Sequence, residues 1–229
     1  MILSSSRHIT AALLAGVAMA ACTSASPSPV QTSPRPATAS SGGDVSYIAK
    51  ARADSIRHPY VQADVDFMYN MIGHHAQAIV MSRLAPTHGA SAPVQRLADR
   101  IINAQQDEIA TMMQWLRDRQ KPVPEPSAHG GAVQMLMNGE PMEMLMPGML
   151  TPDRVKQLDQ ARGAEFDRRF LTDMIQHHRG AVSMVKELFG SYGAAQDELV
   201  FKFANDVNVD QSTEIARMEK MLVVLALGL

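Results

Sequence analysis

Pairs of adjacent histidines occur twice in this chain, each within the same longer string of residues. Residues 64–81 read D-x-x-F-x-x-x-M-I-x-H-H-x-x-A-x-x-M, and residues 167–184 read the same string. The paired histidines are His74, His75, His177 and His178. Imidazole is the commonest metal ligand among protein side chains, so two copies of the pair predict a metal-binding site.

Methionines and an aspartate accompany each histidine pair. The flanking methionines are Met71, Met81, Met174 and Met184. On a helix that advances about 100° per residue, they share one face with the histidines and with the aspartate that opens each string, Asp64 or Asp167. Phe67 and Phe170 fall on the same face and are predicted to be core residues. This face is therefore expected to point into the protein.

A weaker repeat follows each string by about thirty residues. Gln105, Glu108 and Met112 recur as Gln211, Glu214 and Met218. Each set occupies one narrow face of its own helix, so the repeat unit is a pair of helices. A buried carboxylate is costly unless it is paired, and we expect the Asp and Glu residues to accept a ring N–H from the histidines or to serve as alternative ligands.

The types of candidate ligand narrow the choice of metal. A single histidine on an apolar helix face is more often a core residue than a ligand, but two repeated pairs beside methionines favour metal binding. Thioether and imidazole without thiolate suit copper, and methionine suits Cu(I) in particular. Zinc would favour cysteine, histidine and carboxylate. The expected cofactor is a copper ion, held by the four histidines and by Met71, Met81, Met174, Met184, Met112 and Met218.

Further methionines cluster between the two repeats. They are Met135, Met137, Met142, Met144, Met146 and Met149. They predict either a second, more exposed thioether site or a hydrophobic cover over one end of the fold. The three remaining histidines after the leader, His58, His88 and His129, stand next to Pro or Gly and are predicted to be exposed rather than ligands.

Apolar residues recur at three and four positions, so the fold class is predicted to be all-α: a ferritin-like four-helix bundle built from two duplicated helical hairpins with a long Met-rich crossover. The predicted helices run from about 45 to 57, 61 to 84, 91 to 119, 151 to 189 with a bend near Gly163, and 195 to 227. The crossover, with several Pro and Gly residues, is expected to have little regular structure. Trp115 is expected to pack near the end of its helix.

The N-terminus reads as a targeting segment. Residues 1–22 are predicted to be a signal peptide whose end, Met19-Ala20-Ala21-Cys22, resembles a lipobox with Cys22 as the lipidated residue. Residues 23–43 are rich in Ser and Pro and predict a disordered tether, and residues 44–229 form the domain. These features predict an extracytoplasmic protein, either a cell-envelope lipoprotein anchored to the membrane at Cys22 or a secreted or periplasmic one.

The composition argues against disulfides, thiolate ligands and nucleic-acid binding. Cys22 is the single cysteine, so the domain has neither a disulfide nor a thiolate ligand. The net charge is −2 without a basic block, and nucleic-acid binding therefore has no electrostatic support. No feature of the sequence identifies a protein partner.

Several strings resemble one bacterial family. They are M-I-G-H-H at 71–75, M-P-G-M at 146–149, E-F-D at 165–167 and M-I-Q-H-H-R-G-A at 174–181. With them the chain resembles the domain-of-unknown-function family DUF305 over residues 60–225. The resemblance implies a ferritin-like four-helix bundle. Some members of that family are associated with extracytoplasmic copper binding and tolerance, which implies a similar role.

The preferred hypothesis is a copper-binding protein that is not an enzyme and that sequesters or hands on Cu(I), Cu(II) or Ag(I). A ferritin-like metal oxidase is the first alternative. It lacks the Glu-x-x-His pair of di-iron bundles, because Thr111 and Arg217 stand three residues after Glu108 and Glu214. The second alternative is a structural or partner-binding envelope protein.

Overall fold

The computed structural model describes residues 49–50, 53, 59–125, 133–137 and 139–228, all within one compact unit, Ser40–Leu229. These residues form the helices and strands α1 (Gln62–Ser82), α2 (Ala92–Asp118), β1 (Val133–Met137), β2 (Glu140–Met144), α3 (Pro152–Gln160), α4 (Gly163–Gly190) and α5 (Glu198–Leu227). The signal peptide, Cys22, the tether and most of the first predicted helix lie outside the described residues.

Four long helices make the bundle. The first hairpin is α1 with α2, the second is α4 with α5, and α1 packs against α4 at the centre. The predicted all-α, ferritin-like four-helix bundle of two helical hairpins is confirmed. None of the helices in the described ranges is both long and apolar enough to cross a membrane.

The two inner helices run antiparallel, as the membership of two apolar clusters shows. One cluster contains Met71 of α1, Met184 of α4 and Met112 of α2. The other contains Met81 of α1, Met174 of α4 and Met218 of α5. The start of the string on one inner helix therefore lies beside the end of the string on the other. The histidine pairs meet between the two clusters.

The aspartates that open the strings hold the ends of the bundle together. Asp64 accepts hydrogen bonds from Val61 N at 2.8 Å and Ala195 N at 2.6 Å, and Asp167 accepts from Ser91 N at 3.1 Å. Each aspartate thus binds the interhelical loop of the other hairpin. The prediction that these two carboxylates orient the histidines is wrong, because their oxygens are used by backbone N–H groups.

The crossover is more regular than predicted. It contains an antiparallel β-hairpin, with Met135 opposite Met142 and Val133 opposite Met144, and β1 lies against α1. The predicted single bent helix is also wrong. Its capped start at Thr151 is present, but α3 ends at Gln160 and α4 begins anew at Gly163, where φ is +56°.

His88 is buried rather than exposed, which corrects the prediction for that loop. Its Nε2 lies 2.8 Å from the Asp159 carbonyl oxygen, and its own carbonyl accepts from Gly163 N at 2.9 Å. His88 therefore fixes the loop between α1 and α2 to the break between α3 and α4. His58 and His129 lie outside the described residues. Trp115 is buried as predicted and donates to Asp197, the N-cap of α5.

The end of the crossover, residues 146–150, forms a strap across the inner helices. The side-chain amide of Gln77 donates to the Leu150 carbonyl at 3.0 Å and accepts from Leu150 N at 2.7 Å. On the other side, Gln176 donates to the Gly148 carbonyl at 3.2 Å. The strap approaches α4 so closely at Gly180 that a Cβ there would lie 1.9 Å from the Pro147 carbonyl oxygen.

The strap predicts opposite effects for two substitutions on α4. Alanine is a better helix former than glycine, so Gly190→Ala, where a Cβ meets nothing within 4 Å, should leave stability unchanged or slightly higher. Gly180→Ala should instead lower the free energy of unfolding by about 1–3 kcal/mol, because the strap must move. Urea unfolding measures both. Equal stability of the two variants would contradict the close packing of the strap.

Candidate metal centre

The four histidines lie together at the middle of the bundle. All four side chains are fully buried, and the rings of His74 and His177, from the two inner helices, are 3.8 Å apart between centroids. His75 and His178 are each 6.3 Å from the neighbouring ring in their own pair. The predicted inward face is confirmed, and the two histidine pairs form one contiguous group.

Glutamates from the outer helices hold the two outer rings. His178 Nε2 lies 2.8 Å from Glu214 Oε2 and hydrogen bonds to it. His75 Nε2 lies 2.8 Å from Glu108 Oε2, although off the line of a good hydrogen bond. A carboxylate at Nε2 favours the ring tautomer that leaves Nδ1 free as an electron-pair donor. Each outer ring therefore has a glutamate beside it, and the orienting role of these glutamates toward a metal stays a prediction.

The inner rings are held differently from each other. His74 Nε2 lies 3.0 Å from the carbonyl oxygen of Pro147 in the strap. Neither nitrogen of His177 has a partner of good hydrogen-bond geometry, and a weaker contact with the backbone of His74 remains. The strap crosses the two repeated histidine pairs only once, so the Pro147 carbonyl contacts His74 and not the equivalent His177. Sequence reasoning missed Pro147, Gln77 and Gly180, although two of them lie in strings that carry the family resemblance.

Unpartnered polar atoms concentrate at this group. Among the described residues, eleven buried side-chain N and O atoms lack a hydrogen-bond partner, and nine of them lie on predicted site residues: six on the four histidines and three on Gln105 and Gln211. The Nδ1 atoms of all four rings are included. Such atoms cost about 1–3 kcal/mol each when nothing binds them, so their concentration at one place indicates a ligand.

The two inner rings, His74 and His177, are neutral at neutral pH. Burial, together with the nearby His75, lowers the pKa of His74 to about 3. Burial and the neighbouring histidines hold the pKa of His177 well below its usual 6.5. A metal ion therefore has no proton to displace from these two rings at neutral pH.

Methionines enclose the histidine group on both sides. Met71, Met112 and Met184 lie in one apolar cluster, and Met81, Met174 and Met218 in the other, all at most 7% exposed. No three His, Cys, Asp or Glu side chains in the described part of the chain are arranged to hold a metal ion. A metal site in this group must therefore recruit thioether sulfur or a reoriented ring.

The methionines of the crossover divide into two groups. Met146 and Met149 are buried in the cluster that contains Met71, so these two form the hydrophobic cover and not an exposed site. Met144 is 42% exposed. Met135, Met137 and Met142 lie on the hairpin, but their side chains are outside the described set, and a second thioether site there stays a prediction.

Comparison with known proteins decides the family. The family model for the domain of unknown function DUF305 matches residues 64–222, more than half of the chain. The chain belongs to the DUF305 family. The predicted resemblance is thus confirmed. No curated protein matches the chain.

Solved structures of DUF305 proteins share the fold. A predicted secreted member from Streptomyces coelicolor is 29% identical, with a TM-score of 0.60, over 72% of this chain and 94% of its own. A fragment from Deinococcus radiodurans is 26% identical, with a TM-score of 0.57, over 72% and 97%. CopM, solved with Cu(II) bound, is 28% identical, with a TM-score of 0.53, over 69% and 95%. CopM has also been solved with Cu(I) and with silver.

An acidic groove lies beside the site of this DUF305 protein. The groove, of about 300 Å³, lies between α2 and α5 and is lined in part by Asp107, Glu108, Asp206 and Asp210. Burial, and then the charges of Glu108, Asp206 and Glu214, raise the pKa of Asp210. Because Glu108 also contacts His75, the negative charge of the groove extends to the edge of the histidine group.

The neutral rings predict how stability depends on pH in the metal-free protein. Between about pH 6.5 and pH 3 the unfolded chain protonates His74 while the folded chain does not, so the free energy of unfolding falls as the pH drops. The lowered pKa of His177 acts in the same direction. Each extra proton contributes about 1.4 kcal/mol per pH unit. The variant His74→Gln/His177→Gln should show a shallower slope in urea unfolding.

Buried carboxyl groups also contribute to the pH dependence of stability, and their contribution must be distinguished from that of the two rings. Burial raises the pKa of Asp64 and Asp173, and they contribute stability that is lost as the pH rises. Their contribution is the same in both proteins and cancels in the comparison. Met68→Leu, a buried neighbour on α1, should keep the wild-type slope. A double variant with the wild-type slope would show that the two rings are not buried in neutral form.

Proposed function

We propose that this protein binds copper outside the cytoplasm, as Cu(I) foremost and also as Cu(II) or Ag(I), and that it holds the metal or passes it on. The observation that carries the proposal is the concentration of unpartnered buried nitrogen and oxygen atoms on the histidines and glutamines of the site. The Nδ1 atoms of all four imidazoles have no hydrogen-bond partner, and a neutral imidazole nitrogen is a ready electron-pair donor.

The ligand set favours a soft ion. The six methionines predicted as ligands are all buried in the two apolar clusters, and the domain after Cys22 has no cysteine. Thioether sulfur binds Cu(I) and Ag(I) well and adds little for Zn(II). The relative CopM, solved with Cu(I), Cu(II) and silver, supports the same range of metals for this chain.

Binding is proposed in preference to catalysis. Glu108 and Glu214, the glutamates that a ferritin-like oxidase would use, are each paired with a histidine. The positions that would complete its Glu-x-x-His pairs hold Thr111 and Arg217, and the Thr111 hydroxyl donates to the Asp107 carbonyl. Oxygen consumption during turnover of Fe(II) or Cu(I) would instead indicate an oxidase.

The location proposed is the cell envelope. The predicted signal peptide and lipobox support it, as does the predicted secreted relative from Streptomyces coelicolor. Radiolabelled palmitate incorporated into the wild-type protein and not into Cys22→Ala would establish the anchor. Equal labelling of both proteins would exclude lipidation at Cys22.

Removing the two inner rings should weaken copper binding. His74→Gln/His177→Gln is expected to lower Cu(I) affinity by roughly tenfold or more, about 1.4 kcal/mol, measured by anaerobic competition with a chromogenic chelator. The matched control is His88→Gln, which removes a buried histidine engaged with Asp159 outside the site. Equal Cu(I) affinity in the two variants and the wild type would refute the site.

Replacing thioethers should change metal preference more than stability. Met71→Leu/Met184→Leu keeps side-chain volume, so stability should change by less than about 1.5 kcal/mol for each substitution. Affinity for Cu(I) and Ag(I) is expected to fall while affinity for Cu(II) and Zn(II) stays, because the imidazoles remain. Met68→Leu, in the same apolar cluster, is the control. An equal loss for all four ions would argue against thioether ligation.

A further inference from the structure

Four apolar side chains stand exposed around the loop between α4 and α5. Phe189 is 41% exposed, Tyr192 103%, Leu199 41% and Phe201 53%. The rings of Phe189 and Phe201 pack edge to face, 5.8 Å apart between centroids. We call these four residues the aromatic patch. Aromatic side chains that pack on each other in solvent mark an interaction surface more often than scattered single ones do.

The patch lies at the end of the bundle where the chain enters α1. The loop that carries Tyr192 is held there by Asp64, which accepts from Ala195 N, and Gly193 lies close to the Val61 side chain. Tyr60, just before α1, packs edge to face on Trp115, which donates to Asp197 of the same loop. The segment that precedes the bundle therefore leaves from the end that carries the patch.

That segment connects this end to the predicted lipid anchor. Thirty-six residues, 23–58, lie between Cys22 and Pro59, and the first twenty-one of them are of low-complexity composition. A random-coil chain of thirty-six residues would span about 33 Å on average. Lipidation at Cys22 would thus keep this end of the bundle close to the bilayer, where even a weak surface affinity is effective.

We propose that the aromatic patch docks on the membrane that carries the anchor, with its rings in the interfacial region of the bilayer. Tyrosine and phenylalanine suit that region, because an apolar ring can be buried while polar groups stay hydrated. The exposed charged residues on either side of the loop are Lys186, Glu187, Glu198 and Lys202, two of each sign, and Leu199 also lines the acidic groove. Docking therefore rests on apolar contact and needs no anionic lipid. The proposal depends on lipidation and is independent of the copper site.

The test places a fluorescent reporter in the patch. Tyr192→Trp in the full, lipidated chain is reconstituted in zwitterionic vesicles with or without bromine on the lipid acyl chains, which quenches tryptophan on contact. The native Trp115 is 1% exposed, and its signal is subtracted with the wild-type protein. The expected result is several-fold stronger quenching than for Val223→Trp. Val223 is 58% exposed on α5, about 36 Å along the helix from Leu199.

Three outcomes would overturn the proposal: no quenching at Tyr192→Trp, equal quenching at both positions, or emission already blue-shifted without vesicles and insensitive to bromine. The last would show that another segment or a protein covers the patch. Adding anionic lipid should not strengthen the quenching, because the groove that Leu199 lines is acidic. Cu(I) affinity of both tryptophan variants should equal that of the wild type, so failure of the docking proposal is distinguishable from failure of the copper site.

Discussion

Burial of four imidazoles at the centre of the bundle is the constraint on which the other features depend. A ring nitrogen in the core needs a partner, and Glu214 on the outer helix α5 supplies one to His178. The Pro147 carbonyl in the strap supplies another to His74, whereas Glu108 lies 2.8 Å from His75 Nε2 without a good hydrogen bond. The nitrogens that remain have no partner among the described residues, and a core without a ligand gains nothing from them. The fold is therefore best understood as a frame for something that binds those atoms.

The duplication explains why a glutamate lies beside each outer ring, and the single strap explains why only one inner ring has a carbonyl partner. Equivalent positions of the two strings differ where the strap crosses: Gln77 on α1 grips it through a side-chain amide, whereas Gly180 on α4 leaves room for it. His74 gains a carbonyl and His177 does not. The site is thus one group with two unequal inner rings. A soft ion with few ligands tolerates such asymmetry better than one that needs a regular four-ligand cage.

Helical periodicity was sufficient to predict the bundle, the inward face and the glutamate contacts, because these depend on spacing within a helix. It failed where contacts join distant segments. Asp64 shares a face with the histidines but lies at the end of the bundle, where backbone donors meet it first. His88 stands beside a glycine in a loop, yet Asp159, far along the chain, buries it. The hairpin paired Met135 with Met142 across a segment whose Pro and Gly content suggested irregular structure.

Methionine serves two purposes here, and each limits the other. As a core residue it fills the space on both sides of the histidine group, so the metal-free bundle keeps an apolar interior despite the unpartnered nitrogens. As the proposed ligand its sulfur would have to face the rings, which would constrain the packing that it supports. Because a bound ion stabilises the folded state by about 2.7 kcal/mol at a hundredfold excess over Kd, the metal can offset that change and the unsatisfied nitrogens together. Under the proposed function, copper binding and completion of the core would then be the same event. The two would be coupled at Met71 and Met184, which lie in one cluster with the buried strap residue Met146.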